Sequence, residues 1–360
     1  MQHSYLLSVI SFGKLISMIS RNKGISLKFL GRFLFLLQGS IWASIFKRVE
    51  KLKISREKLI IDHRNGPVFI IGHWRTGSTF LHQLMSLDNN FSTPTVVKVS
   101  VPDSFLVSEK YFRKLMSKVI SDTRPMDNVK LGPDEPQEDE YAIVKMVKDS
   151  ALERIFFRRK KSDFLHELRL FMEEEKLSDK WKKEFKTFAA KLVFDNNTSA
   201  LFKNPFHSYR ITELKKLFPN AKFIHIYRNP VSVIPSTVKM WNIVGPQNLL
   251  AGNWQDVSFD NAILFFNSLR NKIKQDQISL NNEDFAEVRF ESLENDPVAS
   301  MKKLYADLGL QFSTNFESLL TEFTQSISTY KKNKYDLAPN YVEQIKQGCK
   351  EFIKEYNYEV

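Results

Sequence analysis

At 360 residues with 42% apolar side chains, the chain is long enough to bury a large core, and its composition excludes a disordered or fibrous protein. Its 53 Lys and Arg against 41 Asp and Glu leave a net charge of +12, which suits an anionic partner: nucleic acid, a negatively charged membrane surface, or a multiply phosphorylated ligand. Cys349 is the single cysteine, so an intramolecular disulfide and a cysteine-based metal cluster are excluded, and a reducing compartment is expected.

In chain order, the first predicted element runs from Ser26 to Val49. Leu27, Leu30, Leu34, Leu37, Ile41, Ile45 and Val49 recur there at three- and four-residue steps, the stripe of an amphipathic helix. Such a helix either packs on the main domain or docks on a membrane surface through Phe29, Phe33, Trp42 and the basic residues among them. The longest uninterrupted apolar run, Phe33 to Leu37, reads as too short to cross a bilayer, and no apolar core with a small-residue cleavage site follows it. A cytoplasmic protein, soluble or membrane-peripheral, is therefore expected.

A polar linker, Asp62 to Gly66, leads to Val68–Ile71, a four-residue apolar run closed by Gly72 that reads as a central strand buried on both faces. Thr79 to Leu87 then reads as a helix. Ile211 to Phe218 predicts a helix, the turn Pro219-Asn220 follows, and Lys222 to Tyr227 predicts a second strand. Ala286 to Phe290 predicts a third, followed by a helix from Pro297 to Leu308. Between them, the charge-dense stretch Arg154 to Phe194 carries apolar residues at helical spacing and reads as helices over the sheet, with solvated charged faces. Strands alternating with helices predict a three-layer α/β fold around a mainly parallel sheet. Residues 1–60 form a helical N-terminal extension, 61–330 the main domain with a helical, lid-like insertion at about 154–194, and 331–360 a C-terminal helical tail.

Gly72 and Gly77 bracket four residues and are followed by Ser78 and Thr79, the spacing of a loop whose backbone N–H groups cradle phosphate at a helix N-terminus. Ser78 stands where a kinase or ATPase carries lysine, and the nearest cation is Arg75, inside the loop. That substitution argues against nucleoside triphosphate chemistry. The segment GHWRTGSTFLHQL resembles the 5′-phosphosulfate loop of the sulfotransferases that use 3′-phosphoadenosine 5′-phosphosulfate (PAPS). The resemblance implies a P-loop-like fold, with Arg75, Thr76, Gly77, Ser78 and Thr79 around the 5′-phosphate, Arg75 at the position of the loop's catalytic cation, and Phe80 near the adenine. It extends to Arg228 after the second strand and Ser236 eight residues on, a pair implied to bind the 3′-phosphate. VRFESLENDP (Val288 to Pro297) matches a third family segment, with Phe290 as the adenine contact and Ser292 in place of the usual Asp.

Within LFKNPFH, Lys203 matches a lysine implied to stabilise the departing bridging oxygen together with Arg75. RPMDNVKLGPDEPQEDEY (Arg124 to Tyr141) resembles a segment of a bacterial branch of the family, in which Glu138, and after it Glu140, is a candidate base; His207 is the rival. His73 and His82 flank the loop as structural residues. No metal is expected, because the sulfuryl group carries little charge compared with a phosphoryl dianion. The 30 phenylalanines suit an apolar acceptor, a lipophilic alcohol such as a sterol or a lipid, as well as ordinary core filling. The rival readings are a P-loop small-molecule kinase and a non-enzymatic basic protein binding nucleic acid or membrane. For the enzyme, no nucleic-acid partner is expected.

Overall fold

The computed structural model describes residues 6–55, 58–59, 66–118, 132–148, 150–326 and 337–359. Most of the 62–66 linker and the 124–131 part of the acidic segment lie outside them. The chain divides into two compact units, one of residues 1–61, 93–196 and 241–256, the other of 62–92, 197–240 and 257–360.

The second unit is built on five parallel strands, β1 (Val68–Ile71), β2 (Phe91–Ser92), β4 (Ser199–Lys203), β5 (Lys222–Tyr227) and β7 (Phe285–Arg289). Their order is β2-β4-β1-β5-β7, so β1 is central and the chain builds outward from it in both directions. One face buries Val68, Ile70, Ile224, Ile226 and Val288 against helix α3 (Ser78–Met85) and the helices Pro297–Asp307 and Thr314–Ser326. The opposite face carries a row of rings: Phe202, Phe69 and Phe223 stack across three neighbouring strands at 5.3 and 5.4 Å. Because side chains alternate along a strand, Phe69 lies on one face and Val68 and Ile70 on the other, so both faces are covered and the layers are three.

The first unit is helical around a two-stranded parallel pair, β3 (Phe157–Arg158) with β6 (Ala251–Gly252). The charge-dense stretch forms two helices here, Phe164–Glu174 and Asp179–Leu192, opened by the side chains of Asp163 and Ser178 accepting from Leu165 and Trp181 N–H groups. At its start lie α1 (Phe12–Arg21) and α2 (Leu30–Lys53), the latter preceded by a 3₁₀ turn at Leu27–Phe29.

The predicted stripe on α2 is present, but it faces outward. Leu34, Ile41 and Ile45 are 53%, 52% and 45% exposed, while the inward face holds Leu36, Ser40, Ala43 and Glu50. Small and polar residues win the interior because α1 approaches closely: Gly39 lies against the Val9 backbone, and Ser44 Oγ accepts from Phe12 N–H at 2.8 Å. Glu50 is buried with its own partners, Lys191 Nζ at 2.5 Å and Leu106 N–H at 2.9 Å. Counted as a helix rather than as an unbroken apolar run, Leu27–Lys53 is long and apolar enough to cross a membrane by length and composition alone.

Candidate active site

In a sheet that grows outward from β1 in both directions, the crevice at the carboxyl ends of the strands on either side of β1 is where ligands bind. The sequence candidates of the second unit gather at these carboxyl ends. The loop after β1 holds Arg75 to Ser78, Lys203 ends β4, Arg228 follows β5, and Phe290 follows β7.

The loop has an unusual backbone. Gly72 has φ +133°, and a Cβ there would overlap the Ile226 carbonyl; Gly77 has φ +90°, and a Cβ there would overlap the Phe290 ring. Arg75 is held at φ +68°, a region that side-chain-bearing residues rarely occupy and in which strain marks functional loops. The turn is tied down by Gly72 N–H donating to Ser208 Oγ at 2.9 Å and by the Thr76 hydroxyl donating to His73 O at 2.8 Å.

Side chains remote in sequence then converge. Arg75 Nε donates to Ser236 Oγ at 2.8 Å, across 161 residues. Arg228 Nη1 reaches the Arg75 carbonyl at 3.5 Å, and its guanidinium lies over the Phe290 ring at 4.3 Å. Lys203, buried at the end of β4 in register with Ile70, donates to Thr79 Oγ1 at 3.4 Å. Burial, followed by repulsion from Arg75, pulls the Arg228 pKa below its usual range, and the nearby Glu291 and Glu294 oppose the fall. Two partly desolvated guanidiniums at one glycine loop with a buried ammonium are suited to a ligand carrying more than one anionic group. Phe80 packs partly buried against the apolar core below the loop.

The base candidates divide between the two units. Glu140 opens the helix Glu140–Met146 in the first unit, fully buried, and accepts from Ser150 Oγ at 2.8 Å. Glu138 lies two residues before that helix and is half-buried. His207 belongs to the second unit, in a 3₁₀ turn at Pro205–Tyr209, enclosed with its ring edge-on to Phe69 at 5.3 Å. Among the described residues, no group of three or more His, Cys, Asp or Glu is placed to hold a metal ion.

Three features escaped the sequence reading. β4 is short and ends in Lys203-Asn204-Pro205, which reads as a turn; its apolar run Ala200-Leu201-Phe202 was the available signal. The helix Phe259–Gln277, capped by Ser258, supplies Phe265 and Phe266 against the ring of His73. The C-terminal segment contributes Tyr358, whose hydroxyl donates to Glu291, which in turn accepts from Asn229 N–H next to Arg228.

His73 yields a pH prediction. Its Nδ1 faces the Trp74 carbonyl at 2.9 Å and so carries the hydrogen, leaving buried Nε2 with no hydrogen-bond partner among the described residues. Burial lowers its pKa from 6.5 to about 4. The unfolded chain therefore takes up a proton that the folded one refuses, and His73 contributes stability above pH 6.5 that is lost as pH falls from 6.5 toward about 4, on the order of 3 kcal/mol. Urea unfolding at pH 7.5 and pH 5 should show about 2 kcal/mol of this loss, the part that falls between pH 6.5 and 5. His73→Asn, which keeps a donor for the Trp74 carbonyl, should make the slope shallower; an unchanged slope would assign the acid sensitivity to other groups.

A parallel sheet with a glycine loop at its switch point and clustered cations is the arrangement of an anion-binding α/β protein. The model of the Sulfotransferase family matches residues 67–314, and the chain belongs to this family, in a bacterial setting. It is 31% identical over 293 residues to the omega-hydroxy-beta-dihydromenaquinone-9 sulfotransferase Stf3 of Mycobacterium bovis and to that of Mycobacterium tuberculosis, spanning 81% of this chain and 75% of each relative. Its fold is that of the sulfotransferase STF9 from Mycobacterium avium (TM-score 0.68, 16% identity, 98% of both chains). It is also that of STF1 from M. tuberculosis (TM-score 0.64, 14% identity, 93% of this chain and 90% of the other).

Proposed function

We propose that this sulfotransferase takes its sulfuryl group from PAPS and delivers it to the hydroxyl of a lipophilic alcohol, a lipid or sterol. The observation that carries the donor assignment is the convergence of Arg75, Ser236 and Arg228 at the Gly77 loop. PAPS supplies an activated sulfuryl group on a leaving group with two phosphates. The loop N–H groups from Arg75 to Thr79 hold the 5′-phosphate at the start of α3, where the helix dipole favours an anion. Arg228 and Ser236 hold the 3′-phosphate, which distinguishes this nucleotide from ATP. Arg75 and Lys203 place positive charge where the bridging oxygen gains negative charge. Phe290 acts by supporting Gly77 and Arg228, since its ring packs on the first and lies beneath the second. Phe80 lies toward the adenine.

Glu138 is the proposed base, since it retains exposure that Glu140 and His207 lack. His207, enclosed against Phe69, acts in positioning the turn that follows Lys203. The lipid acceptor is supported by the name of the mycobacterial relatives, which act on a hydroxylated menaquinone, and by the apolar surface of α2. A cytoplasmic, membrane-peripheral location accords with both.

The test is incubation with ³⁵S-labelled PAPS, and in parallel with γ-³²P-labelled ATP, and a panel of hydroxylated quinones, sterols, phenols and sugars, with isolation of the labelled product. Transfer to the isoprenoid or sterol members is expected. Transfer confined to sugars or phenols would overturn the acceptor class, and labelled phosphate transfer from ATP would overturn the donor.

A further inference from the structure

We infer that the outward face of α2 is a docking surface for a bilayer containing anionic phospholipid, on which the helix lies flat. This inference does not depend on the acceptor assignment.

The patch has a centre and two flanks, all within the first unit. Leu34, Ile41, Trp42 and Ile45 form the centre, each about half exposed. Ser44 carries α1 on one side through its bond to Phe12 N–H, and Phe46 carries the helix Phe105–Met116 on the other through Tyr111, ring centroids 5.4 Å apart. Residues 44 and 46 are roughly 200° apart around a helix. The two neighbours therefore flank α2 and leave the apolar stripe between them. Both extend it outward, α1 with Phe12 and Ile16, the other helix with Tyr111 and Leu115. A continuous exposed apolar surface of this kind marks an interaction face.

Its charge identifies the partner. Lys28, Arg48, Lys51 and Lys53 are exposed on or beside α2, and Lys110 and Lys114 on the flanking helix. Between Leu6 and Ser55 the sole acidic residue is Glu50, which is buried and paired with Lys191. Apolar residues bordered by exposed lysine and arginine are the pattern of interfacial helices on anionic membranes, where each basic residue near the surface adds attraction. A second copy of this chain is a poorer occupant, because a two-fold interface places the same basic border against itself. Spanning is opposed by side anchors along the second half of α2: Glu50 to Lys191 and to Leu106 N–H, and Lys47 to Asp103 at 2.7 Å. A helix fixed along its flank to a folded unit presents one face to lipid, not its whole circumference.

The experiment is flotation of the full-length protein with phosphatidylcholine vesicles and with vesicles containing phosphatidylglycerol, at low and high salt. The protein should float with the anionic vesicles and be released by salt. Leu34→Glu/Ile41→Glu/Ile45→Glu, at exposed positions, should lower the bound fraction about tenfold or more while the circular dichroism spectrum and melting temperature stay at wild-type values. A milder variant, Trp42→Ser, guards against misfolding of the triple one and should show a smaller loss in the same direction. No flotation of the wild-type protein, equal flotation of the variants, or a wild-type dimer in sedimentation velocity that the substitutions dissociate would each overturn the inference.

Discussion

Arg228→Ala should raise the dissociation constant for adenosine 3′,5′-bisphosphate about a hundredfold, measured by calorimetry. Removing one partner of a partly desolvated, hydrogen-bonded charge pair costs about 2–5 kcal/mol, and each 1.4 kcal/mol is tenfold in affinity. The geometry puts Arg228 in that class: it is withdrawn from water enough for burial to depress its pKa, and it is backed by the Phe290 ring. The side chain also touches the Arg75 carbonyl, so its loss could disturb the loop as a whole. Adenosine 5′-phosphosulfate, which lacks the 3′-phosphate, separates the two effects. A direct role predicts a large loss for the bisphosphate and a small one for the 5′-phosphosulfate; equal losses would reassign Arg228 to loop support. Arg228→Lys should recover only part of the affinity, because an ammonium cannot reproduce a two-pronged guanidinium contact.

The strands that carry the site were legible because central parallel strands are continuous apolar runs. Val68–Ile71 and Lys222–Tyr227 have the predicted limits, and the third strand is displaced by one residue, Phe285–Arg289, with Phe290 opening the next helix. β4 was missed for a physical reason. It lies between β2 and β1 and borrows their hydrogen bonds, so five residues ending in lysine are sufficient there, although alone they carry little strand signal.

The glycine loop was legible because glycine is required at two positions by backbone angle and close approach, and such requirements leave a fixed spacing. What no spacing could encode is the bond from Arg75 to Ser236, or the support that Tyr358 and Glu291 give to the backbone beside Arg228. These join residues 62, 67 and 161 positions apart in the chain. The periodicity of α2 was also visible, but periodicity specifies only that one face is apolar. Which way that face turns was decided by Gly39, Ser44 and Glu50, residues that disrupt no pattern and yet fit the interior against α1 and Lys191.

Lys203→Ala should lower kcat by about 10²–10³, the cost of removing one preorganised donor from a developing oxyanion, while the dissociation constant of the bisphosphate changes only a few-fold. The split follows from where Lys203 stands. It ends β4 beside the middle of β1, is almost wholly buried, and points its ammonium toward Thr79 on the first turn of α3. A cation fixed there by the central sheet needs no reorganisation when charge develops, and its contribution rises between ground state and transition state. In the proposed site the phosphate contacts of Arg75 and Arg228 do not involve Lys203, so binding is expected to survive. Lys203→Arg should not restore the rate, since the larger planar group must fit an almost fully buried position beside Ile70 at the strand end. Single-turnover rates with saturating donor, set beside equilibrium binding of the bisphosphate, make the comparison. A variant with normal kcat and a proportionally raised dissociation constant would make Lys203 a binding residue and leave Arg75 alone at the bridging oxygen.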